Sequence, residues 1–381
     1  MATAISPVML ALASCGAAPA GDKPPANRPN ADFSVTTIAQ FEEPWAMAFL
    51  PGTPLALITE RKGRLKLWQE GGEVREVDGV PQVAYQGQGG LGDVALAPDF
   101  ATSGTIYLTW AEAGDGDTRG AALGRARLVL DGAPKLEGLQ VIWRQEPKVT
   151  GAGHYSHRIA FSPDGKYLFL SSGERQKFTP AQALDTNLGK ILRLTLAGKP
   201  APGNPFSGDT KAGPITAQIW TYGHRNVLGL KFDAAGQLWD LEHGPKGGDE
   251  LNLVAPGHNY GWPLVSDGDH YDGRPIPRNA TRPDLAQPAI SWNPVIAPGD
   301  FIFYRGSQFP AWRGQAVIAA MQPASIVRVA IDGDKAREVA RYQMAHRIRD
   351  IVERDDGSIW LLEDGKEAGA GHLLRLAPVR K

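Results

Sequence analysis

Cysteine is almost absent from this 381-residue chain, in which Cys15 is the single example. One thiol excludes an internal disulfide, and its place near the start of the chain excludes a thiol catalyst in the mature protein. An excess of charge of either sign is also absent, because 40 Lys and Arg residues stand against 41 Asp and Glu residues. The chain therefore lacks the basic surface of a nucleic-acid-binding or membrane-surface protein. We expect a neutral small molecule as its partner.

Long helical patterns are also scarce. The best candidate, residues 179–194, is interrupted by Gly189, and a chain with 45 Gly and 30 Pro is poorly suited to long helices. Hydrophobic residues make up 42% of the chain and include 10 Trp, 9 Tyr and 12 Phe, which is enough for a large core. The composition indicates a folded protein built mainly from strands.

The N-terminal segment contains a short apolar run, Val8–Ala13, followed by small residues and then by a tail rich in Pro, Ala and Gly. This run is too short to span a bilayer and is typical of a secretory signal. Its ending, "LASC", resembles the bacterial lipoprotein signal, although no Lys or Arg precedes Lys23. The alternative is a disordered N-terminus with a chance cysteine. We interpret residues 1–32 as a leader and disordered linker, which predicts a periplasmic protein with a candidate lipid anchor at Cys15.

A repeated pattern runs through the rest of the chain. Two alternating apolar runs separated by a turn occur at residues 46–60, 93–110, 158–173, 229–244 and 350–365. Period-two alternation indicates half-buried strands, and Gly at the turn supplies the positive φ that a tight hairpin needs. A sixth copy, at 314–333, lacks the turn signature.

Six hairpin units over about 350 residues indicate radial repetition, which protects the edges of sheets. The sequence therefore predicts an all-β protein, a six-bladed β-propeller with four-stranded antiparallel blades, formed as one catalytic domain by residues 33–381. A pair of β-sandwiches is the structural alternative. Residues 111–150, 176–218 and 254–312 are predicted to be insertions on the face that carries the site.

Two candidate site residues precede predicted hairpins. Gln88 lies in the glycine-rich stretch "YQGQGGLGDVAL", where glycines let backbone approach a ligand closely. His154 lies just ahead of the third hairpin, and its side chain suits proton removal near neutral pH. The alternatives are a glycine-rich turn with an exposed Gln and a hydrogen-bonded surface histidine.

Arginines precede two other hairpins. Arg225 and Asn226 come directly before the fourth hairpin, and Arg347 and Arg349 alternate at the start of the last one, so their side chains share a face. Two guanidiniums on one face repel each other unless an anion lies between them. Together the three arginines could surround a small polyanion such as a multiply carboxylated cofactor. The alternatives are a salt-bridged loop and ordinary solvated arginines.

Calcium ligands are available in the segment "LEHGPKGGDELNL". Calcium takes backbone carbonyls as readily as carboxylates. The turn offers the carbonyls of Gly244 and Pro245, and Asp249 and Glu250 follow with carboxylates. The segment predicts a calcium site.

Seven of these motifs occur in an order that resembles a known family. They are "GQGGLGDVALAPDF", "GHYSHRIAFSPDGKYLFLSSGER", "LGKILRL", "IWTYGHRNVLGLKF", "LEHGPKGGDELNL", "GHNYGWP" and "RIRDIVERDDGSIWLLED". The chain resembles the soluble, pyrroloquinoline-quinone-dependent sugar dehydrogenases, specifically the aldose sugar dehydrogenase branch and its glucose/sorbosone dehydrogenase relatives. The resemblance runs from about residue 35 to the C-terminus.

The resemblance implies that aldoses are oxidised to lactones at the anomeric carbon, with hydride passing to a calcium-bound quinone at the channel mouth. His154 matches the general base of the family. Residues matching those that hold the quinone are Gln88, Arg225, Asn226, Arg347 and Arg349. Residues matching calcium ligands are Gly244 and Pro245 for a catalytic ion and Glu250 and Tyr260 for a structural ion, with carbonyls used at Gly244, Pro245 and Tyr260.

Three departures from the family pattern stand out. Gln322 and Pro323 occupy the stretch where family members often have a quinone-contacting lysine, which predicts weaker cofactor binding. Glu174 replaces the usual Asp beside the base, and His243 precedes the calcium carbonyls without an evident role. A non-catalytic propeller binding module and a propeller lactone hydrolase remain as alternative functions. The electron acceptor is unknown, because the chain has no C-x-x-C-H haem motif.

Overall fold

The computed structural model describes residues 32–208, 213–365 and 371–379. Cys15 and almost all of the predicted leader lie outside these ranges, so the lipid anchor and the periplasmic location stay predictions. In the described ranges no helix has the length and apolar character needed to cross a membrane.

The described residues form 25 strands, numbered here in chain order. The first nine are β1 (Phe33–Phe41), β2 (Pro44–Phe49), β3 (Leu55–Glu60), β4 (Arg64–Gln69), β5 (Val74–Val77), β6 (Leu91–Leu96), β7 (Thr105–Ala113), β8 (Thr118–Val129) and β9 (Lys135–Arg144). The next nine are β10 (Val149–Thr150), β11 (Ser156–Phe161), β12 (Tyr167–Ser172), β13 (Lys190–Thr195), β14 (Ile219–Tyr222), β15 (Val227–Phe232), β16 (Leu238–Glu242), β17 (Asp249–Leu253) and β18 (Ile290–Trp292). The last seven are β19 (Pro298–Phe303), β20 (Ala316–Met321), β21 (Ala324–Asp332), β22 (Lys335–Gln343), β23 (Ile348–Glu353), β24 (Ile359–Glu363) and β25 (Gly371–Pro378).

Helices are few and short in the described residues. The α-helix α1 spans Phe100–Ser103, and the 3₁₀ turns are Thr179–Gln182, Thr216–Gln218, Asn279–Thr281 and Pro310–Trp312. The best helical stretch of the sequence therefore becomes one 3₁₀ turn followed by β13.

Six antiparallel sheets confirm the predicted six-bladed propeller. Five blades have the orders β2-β3-β4-β5, β6-β7-β8-β10, β11-β12-β13-β14, β15-β16-β17-β18 and β19-β20-β21-β22, and β9 also pairs with β8. The sixth blade has the order β23-β24-β25-β1. Because β1 pairs antiparallel with β25 from Phe33↔Pro378 to Phe41↔Gly371, the start and the end of the propeller close the ring together.

The predicted hairpins are present, but one was placed a strand too late. Five of them are the first and second strands of their blades, whereas residues 314–333 form the second and third strands, β20 and β21. The first strand of that blade, β19, lies inside the predicted insertion 254–312, because its apolar run follows a proline-rich stretch and has no Asp-Gly turn after it. The predicted insertion 111–150 likewise contains two long strands, β8 and β9.

The hydrophobic core lies between neighbouring blades. Leu57 and Leu67 of the first blade pack with Ile106 and Leu108 of the second in one buried cluster. Equivalent clusters join the other blades, as between the fifth and sixth. Alternate side chains of each strand therefore face the adjacent blade, as the period-two pattern predicts.

A buried arginine lies in the channel among the first strands of the blades. Arg158 on β11 is 1% exposed. Its Nη1 lies 3.3 Å from Asp93 Oδ1 and 3.5 Å from Asp300 Oδ2, and its Nη2 lies 3.1 Å from Asp350 Oδ1. Burial alone would lower the pKa of Arg158, but the three carboxylates raise it above its usual value.

The same side chain contacts the remaining blades. Arg158 Nε donates to the Leu228 carbonyl over 2.7 Å, and Nη2 donates to the Gly299 carbonyl over 2.9 Å. The guanidinium also lies 4.2 Å from the ring centre of Trp45. Arg158 therefore contacts groups on all five other blades.

Replacing Arg158 by Met should destabilise the protein by roughly 3–5 kcal/mol, because three buried carboxylates would lose their common cation. Urea unfolding would measure the loss. Arg127→Met removes an exposed ion pair with Glu137 and should change stability by less than about 1 kcal/mol. Equal stabilities of the two variants would contradict a central role for Arg158.

Candidate active site

The predicted site residues lie where the first strands begin. Gln88 precedes β6, His154 precedes β11, Arg225 and Asn226 precede β15, and Arg347 and Arg349 border the start of β23. Because the first strands surround the channel, their starts meet at one end of it. We call this end the mouth.

Three cavities lie at the mouth, and His243 borders each of them. The first, of about 140 Å³, brings together Gln88, Asn226, Arg347 and Arg349. The second, of about 450 Å³, is bordered by Gly244, Pro245 and Gln322. The third, of about 10 Å³, is bordered by Glu250, Tyr260 and Arg225. The structure thus brings the predicted quinone and calcium residues into neighbouring spaces.

His154 is held in one orientation. Its Nδ1 lies 2.5 Å from Glu174 Oε1, and its backbone N–H donates to Gln88 Oε1 over 2.7 Å. Because a carboxylate accepts hydrogen bonds, we assign the proton to Nδ1, which leaves Nε2 as a free acceptor. Burial lowers the pKa of His154, and Glu174 only partly offsets this. The imidazole is therefore neutral near pH 7.

Glu174, the departure beside the base, reaches His154 despite its longer side chain. Its second oxygen, Oε2, accepts a hydrogen bond from the Phe178 backbone over 2.6 Å. Burial alone would raise the pKa of Glu174, but these hydrogen bonds and the nearby charges lower it. A carboxylate anion thus orients the imidazole.

The backbone around His154 is strained and clamped. His154, Ser156 and His157 have φ of 50°, 65° and 84°, a region that residues with a Cβ rarely adopt. Buried Arg175 donates to the carbonyls of Gly153 over 2.8 Å and Gly151 over 2.6 Å, which fixes the segment before the base. Such strain is typical of functional sites.

Arg225 is held at the mouth by its backbone and by its guanidinium. Its N–H donates to Glu242 Oε2 over 2.7 Å, and its Nη1 donates to the His243 carbonyl over 3.1 Å. Glu242 Oε1 lies 3.0 Å from Nδ1 of buried His224, so one carboxylate anchors both residues. The Nε of Arg225 is buried and has no hydrogen-bond partner among residues 32–208, 213–365 and 371–379. Asn226 Oδ1 accepts from the Ser156 backbone over 3.2 Å.

Arg347 and Arg349 have an anion between them, as their spacing predicts. This anion is a carboxylate of the protein itself, Asp364. Arg347 Nε donates to Asp364 Oδ2 over 2.7 Å, and Arg349 Nη2 donates to Asp364 Oδ1 over 2.6 Å. Burial alone would raise the pKa of Asp364, but the two arginines lower it strongly. Each arginine keeps Nη1 free of hydrogen-bond acceptors among the described residues.

The carbonyls predicted to bind calcium are available. No described group donates a hydrogen bond to the carbonyls of Gly244, Pro245 or Tyr260. Asp249 is not available, because its carboxylate accepts backbone hydrogen bonds from Gly244, Ile296 and Ala297. Glu250 accepts from Asn279 Nδ2 over 2.7 Å and borders the third cavity.

His243, which had no evident role in the sequence, joins two blades. Its Nε2 lies 2.7 Å from the Pro298 carbonyl on the next blade, and its N–H donates to the Asn226 carbonyl over 3.1 Å. Burial lowers its pKa to about 3, so the ring is neutral. His243 thus positions the carbonyl that holds Arg225.

Sequence reasoning missed two residues that border the first cavity, Arg61 and Asp364. Arg61 pairs with Glu43 over 2.9 Å and lies just after β3, with no motif around it. Asp364 had a signal, because it ends the hairpin that begins with the two arginines. The backbone N–H of Asp364 donates to the Arg347 carbonyl, so the opposite charges meet at the open end of the hairpin.

Fold and site together define a six-bladed propeller enzyme with a histidine-carboxylate pair and a cluster of arginines at the mouth of its channel. The family model for glucose/sorbosone dehydrogenase matches residues 41–375. The chain belongs to the glucose/sorbosone dehydrogenase family and is an oxidoreductase.

Named relatives agree with this assignment. The chain is 39% identical over 346 residues to the aldose sugar dehydrogenase YliI of Escherichia coli (strain K12), covering 89% of this chain and 91% of that protein. It is 25% identical over 406 residues to quinoprotein glucose dehydrogenase B of Acinetobacter calcoaceticus, covering 84% and 83%.

Solved structures show the same fold. The apo-form of the soluble aldose sugar dehydrogenase from Escherichia coli superposes with a TM-score of 0.85 at 36% identity, covering 91% of this chain and 100% of that one. The PQQ-bound aldose sugar dehydrogenase from Streptomyces coelicolor gives 0.73 at 27% identity, covering 92% and 100%.

The protonation of His154 can be tested directly. Its imidazole should stay neutral at pH 6.5, because burial lowers its pKa, and Glu174→Gln should move the titration to still lower pH by removing the charge that raises the pKa. Nitrogen-15 NMR of labelled histidines, with His154→Gln to assign the signal, would follow both. A midpoint above pH 6.5 would contradict the buried, neutral imidazole.

Proposed function

We propose that this protein oxidises aldose sugars at the anomeric carbon to lactones, with pyrroloquinoline quinone and calcium as cofactors and His154 as the general base. The observation that carries the proposal is the His154-Glu174 pair, which leaves Nε2 free as a proton acceptor. The next two residues, Tyr155 and Ser156, border the cavity that the arginines line. Membership of the dehydrogenase family supports the reaction class.

The residues of the first cavity fit an anionic quinone. Its border has three guanidiniums, from Arg61, Arg347 and Arg349, against the single carboxylate of Asp364. Among the described residues, Nη1 of Arg347, Nη1 of Arg349 and the buried Nε of nearby Arg225 are donors without acceptors. Guanidiniums of this kind bind carboxylates well. Gln88 and Asn226 supply amide groups at the same border.

The second and third cavities fit calcium. Free carbonyls at Gly244 and Pro245 border the second cavity, and a Cβ on Gly244 would lie 2.2 Å from the carbonyl oxygens of Gly247 and Gly248. Carbonyl oxygens therefore converge on this turn, as a calcium site requires. In the third cavity Glu250 and the free Tyr260 carbonyl supply a carboxylate and a neutral oxygen for a second ion.

When bound, the calcium-polarised quinone supplies the two-electron acceptor for hydride from the anomeric C–H. The protein supplies the proton chemistry. Neutral His154 accepts the hydroxyl proton at Nε2, and the Glu174 carboxylate stabilises the resulting imidazolium. Arg225 would supply a fixed positive charge to stabilise the negative charge that develops on the reduced acceptor.

The alternative functions have less support. A propeller lactone hydrolase needs carboxylates in the channel to hold a metal, but Asp93, Asp300 and Asp350 already surround Arg158. A binding module has no need of a strained histidine oriented by a buried carboxylate. The apolar run and small residues of the leader sequence support a periplasmic setting for this reaction.

Purified apoprotein supplied with pyrroloquinoline quinone and calcium should reduce an artificial dye when an aldose is added. His154→Gln should lower kcat by about 10²- to 10⁴-fold, because that is the usual contribution of a general base. The matched control is His372→Gln, which changes a histidine on the outer strand pair β25-β1. Quinone binding without sugar-dependent dye reduction would favour the binding module.

Removing calcium should distinguish the role of the catalytic ion from that of the structural ion. A chelator should abolish dye reduction and lower the melting temperature, and calcium should restore both. Glu250→Gln should keep calcium-dependent activity but lose most of the calcium-dependent rise in melting temperature, because only the structural ion uses this carboxylate. If Glu250→Gln instead abolished activity at saturating calcium with normal stability, the two-ion assignment would be wrong.

A further inference from the structure

Lys246 borders the second cavity together with Gly244, Pro245 and Gln322. It lies in the loop between β16 and β17, directly after the two free carbonyls. Gln322, directly after β20, carries no charge. Any positive charge offered to this cavity by its border must therefore come mainly from Lys246.

The backbone of Lys246 is fixed. Its N–H donates to the Asp269 carbonyl over 2.9 Å, and the Asp269 N–H returns a bond to the Lys246 carbonyl over 3.0 Å. Gly247 follows with φ of 91°, and a Cβ there would lie 2.6 Å from the Asn293 side chain. The side chain of Lys246 thus projects from a rigid base.

The ammonium group of Lys246 is free, unlike the other cations at the mouth. Arg61 pairs with Glu43, and Arg347 and Arg349 pair with Asp364. Within the described ranges, no hydrogen-bond acceptor or carboxylate lies against Lys246 Nζ.

The two carboxylates that border the same cavity are occupied elsewhere. Asp249 accepts its three backbone hydrogen bonds, and Asp269 pairs with Arg278 over 2.8 Å. Neither neutralises the lysine. Exposed Lys246 therefore borders the second cavity as a cation without a partner in the described ranges, next to the carbonyls that fit calcium.

We propose that Lys246 binds a carboxylate of the anionic cofactor, and this inference rests on the proposed function. A carboxylate ligand of a cation held by Gly244 and Pro245 would enter the cavity that Lys246 borders. Lys246 then supplies the charge that Gln322 lacks. Lys246, on a different loop, therefore offsets the loss of cofactor affinity that Gln322 is expected to cause.

Equilibrium dialysis tests the proposal by measuring the affinity of the apoprotein for pyrroloquinoline quinone. The measurement is made at saturating calcium and without sugar. Lys246→Met keeps the apolar stem and should weaken binding by about 10- to 100-fold, the usual loss for a charge-assisted contact. Lys246→Arg should stay within about threefold of the unaltered protein. Lys166→Met removes an exposed lysine on the hairpin turn at the other end of β11 and should change nothing.

Adding Gln322→Lys to Lys246→Met should restore most of the affinity, because the charge returns to the same cavity. Equal binding by the unaltered protein and Lys246→Met would overturn this inference alone. The inference would also be overturned if calcium above the concentration that saturates the unaltered protein restored quinone binding by Lys246→Met, because the substitution would then act on the metal. Absence of quinone binding by the unaltered protein would overturn the proposed function and this inference with it.

Discussion

The ion-pair network of Arg158 is the constraint on which the structure depends. Strands within a blade share hydrogen-bond ladders, whereas neighbouring blades share single backbone hydrogen bonds such as that from Leu91 to Arg61. Apolar packing and side chains that cross the channel supply the other contacts between blades. Arg158 contacts groups on all five other blades. Because a buried guanidinium is stable only with partners, and the carboxylates only with a cation, the blades must close in one arrangement for any of these groups to be satisfied.

The same residue connects the channel to the chemistry. His154 lies four residues before Arg158, and the backbone between them has three residues with positive φ, counting His154 itself. Such a segment persists only if both of its ends are fixed. Arg158 fixes one end in the channel, and Arg175 fixes the other through the carbonyls of Gly151 and Gly153. The orientation of the His154 imidazole is thus a consequence of how the ring closes.

The sequence was sufficient for the architecture because a propeller repeats one local signal. Alternation and turn glycines predicted the hairpins. The one hairpin that was placed a strand too late belongs to the blade whose first strand, β19, has no Asp-Gly turn after it. Site residues were predictable where they precede a hairpin, since five of the six predicted hairpins begin at the same mouth. Among their partners, Glu174 was placed beside His154 only by the family resemblance, and Asp364 was missed. Both follow second strands, and which carboxylate meets which basic side chain depends on strand register and loop path.

Asp364 also bears on how the site can form before a ligand arrives. Arg347 and Arg349 would repel each other on one strand face, and the carboxylate between them removes that cost while leaving an Nη1 atom on each free. Donors held in this way lose little conformational entropy on binding an anion. Lys246 differs from the arginines, because its backbone is hydrogen-bonded to Asp269 but its ammonium has no partner in the part of the chain that the structure describes. The mouth therefore combines arginines whose orientation is fixed by Asp364 with one exposed lysine.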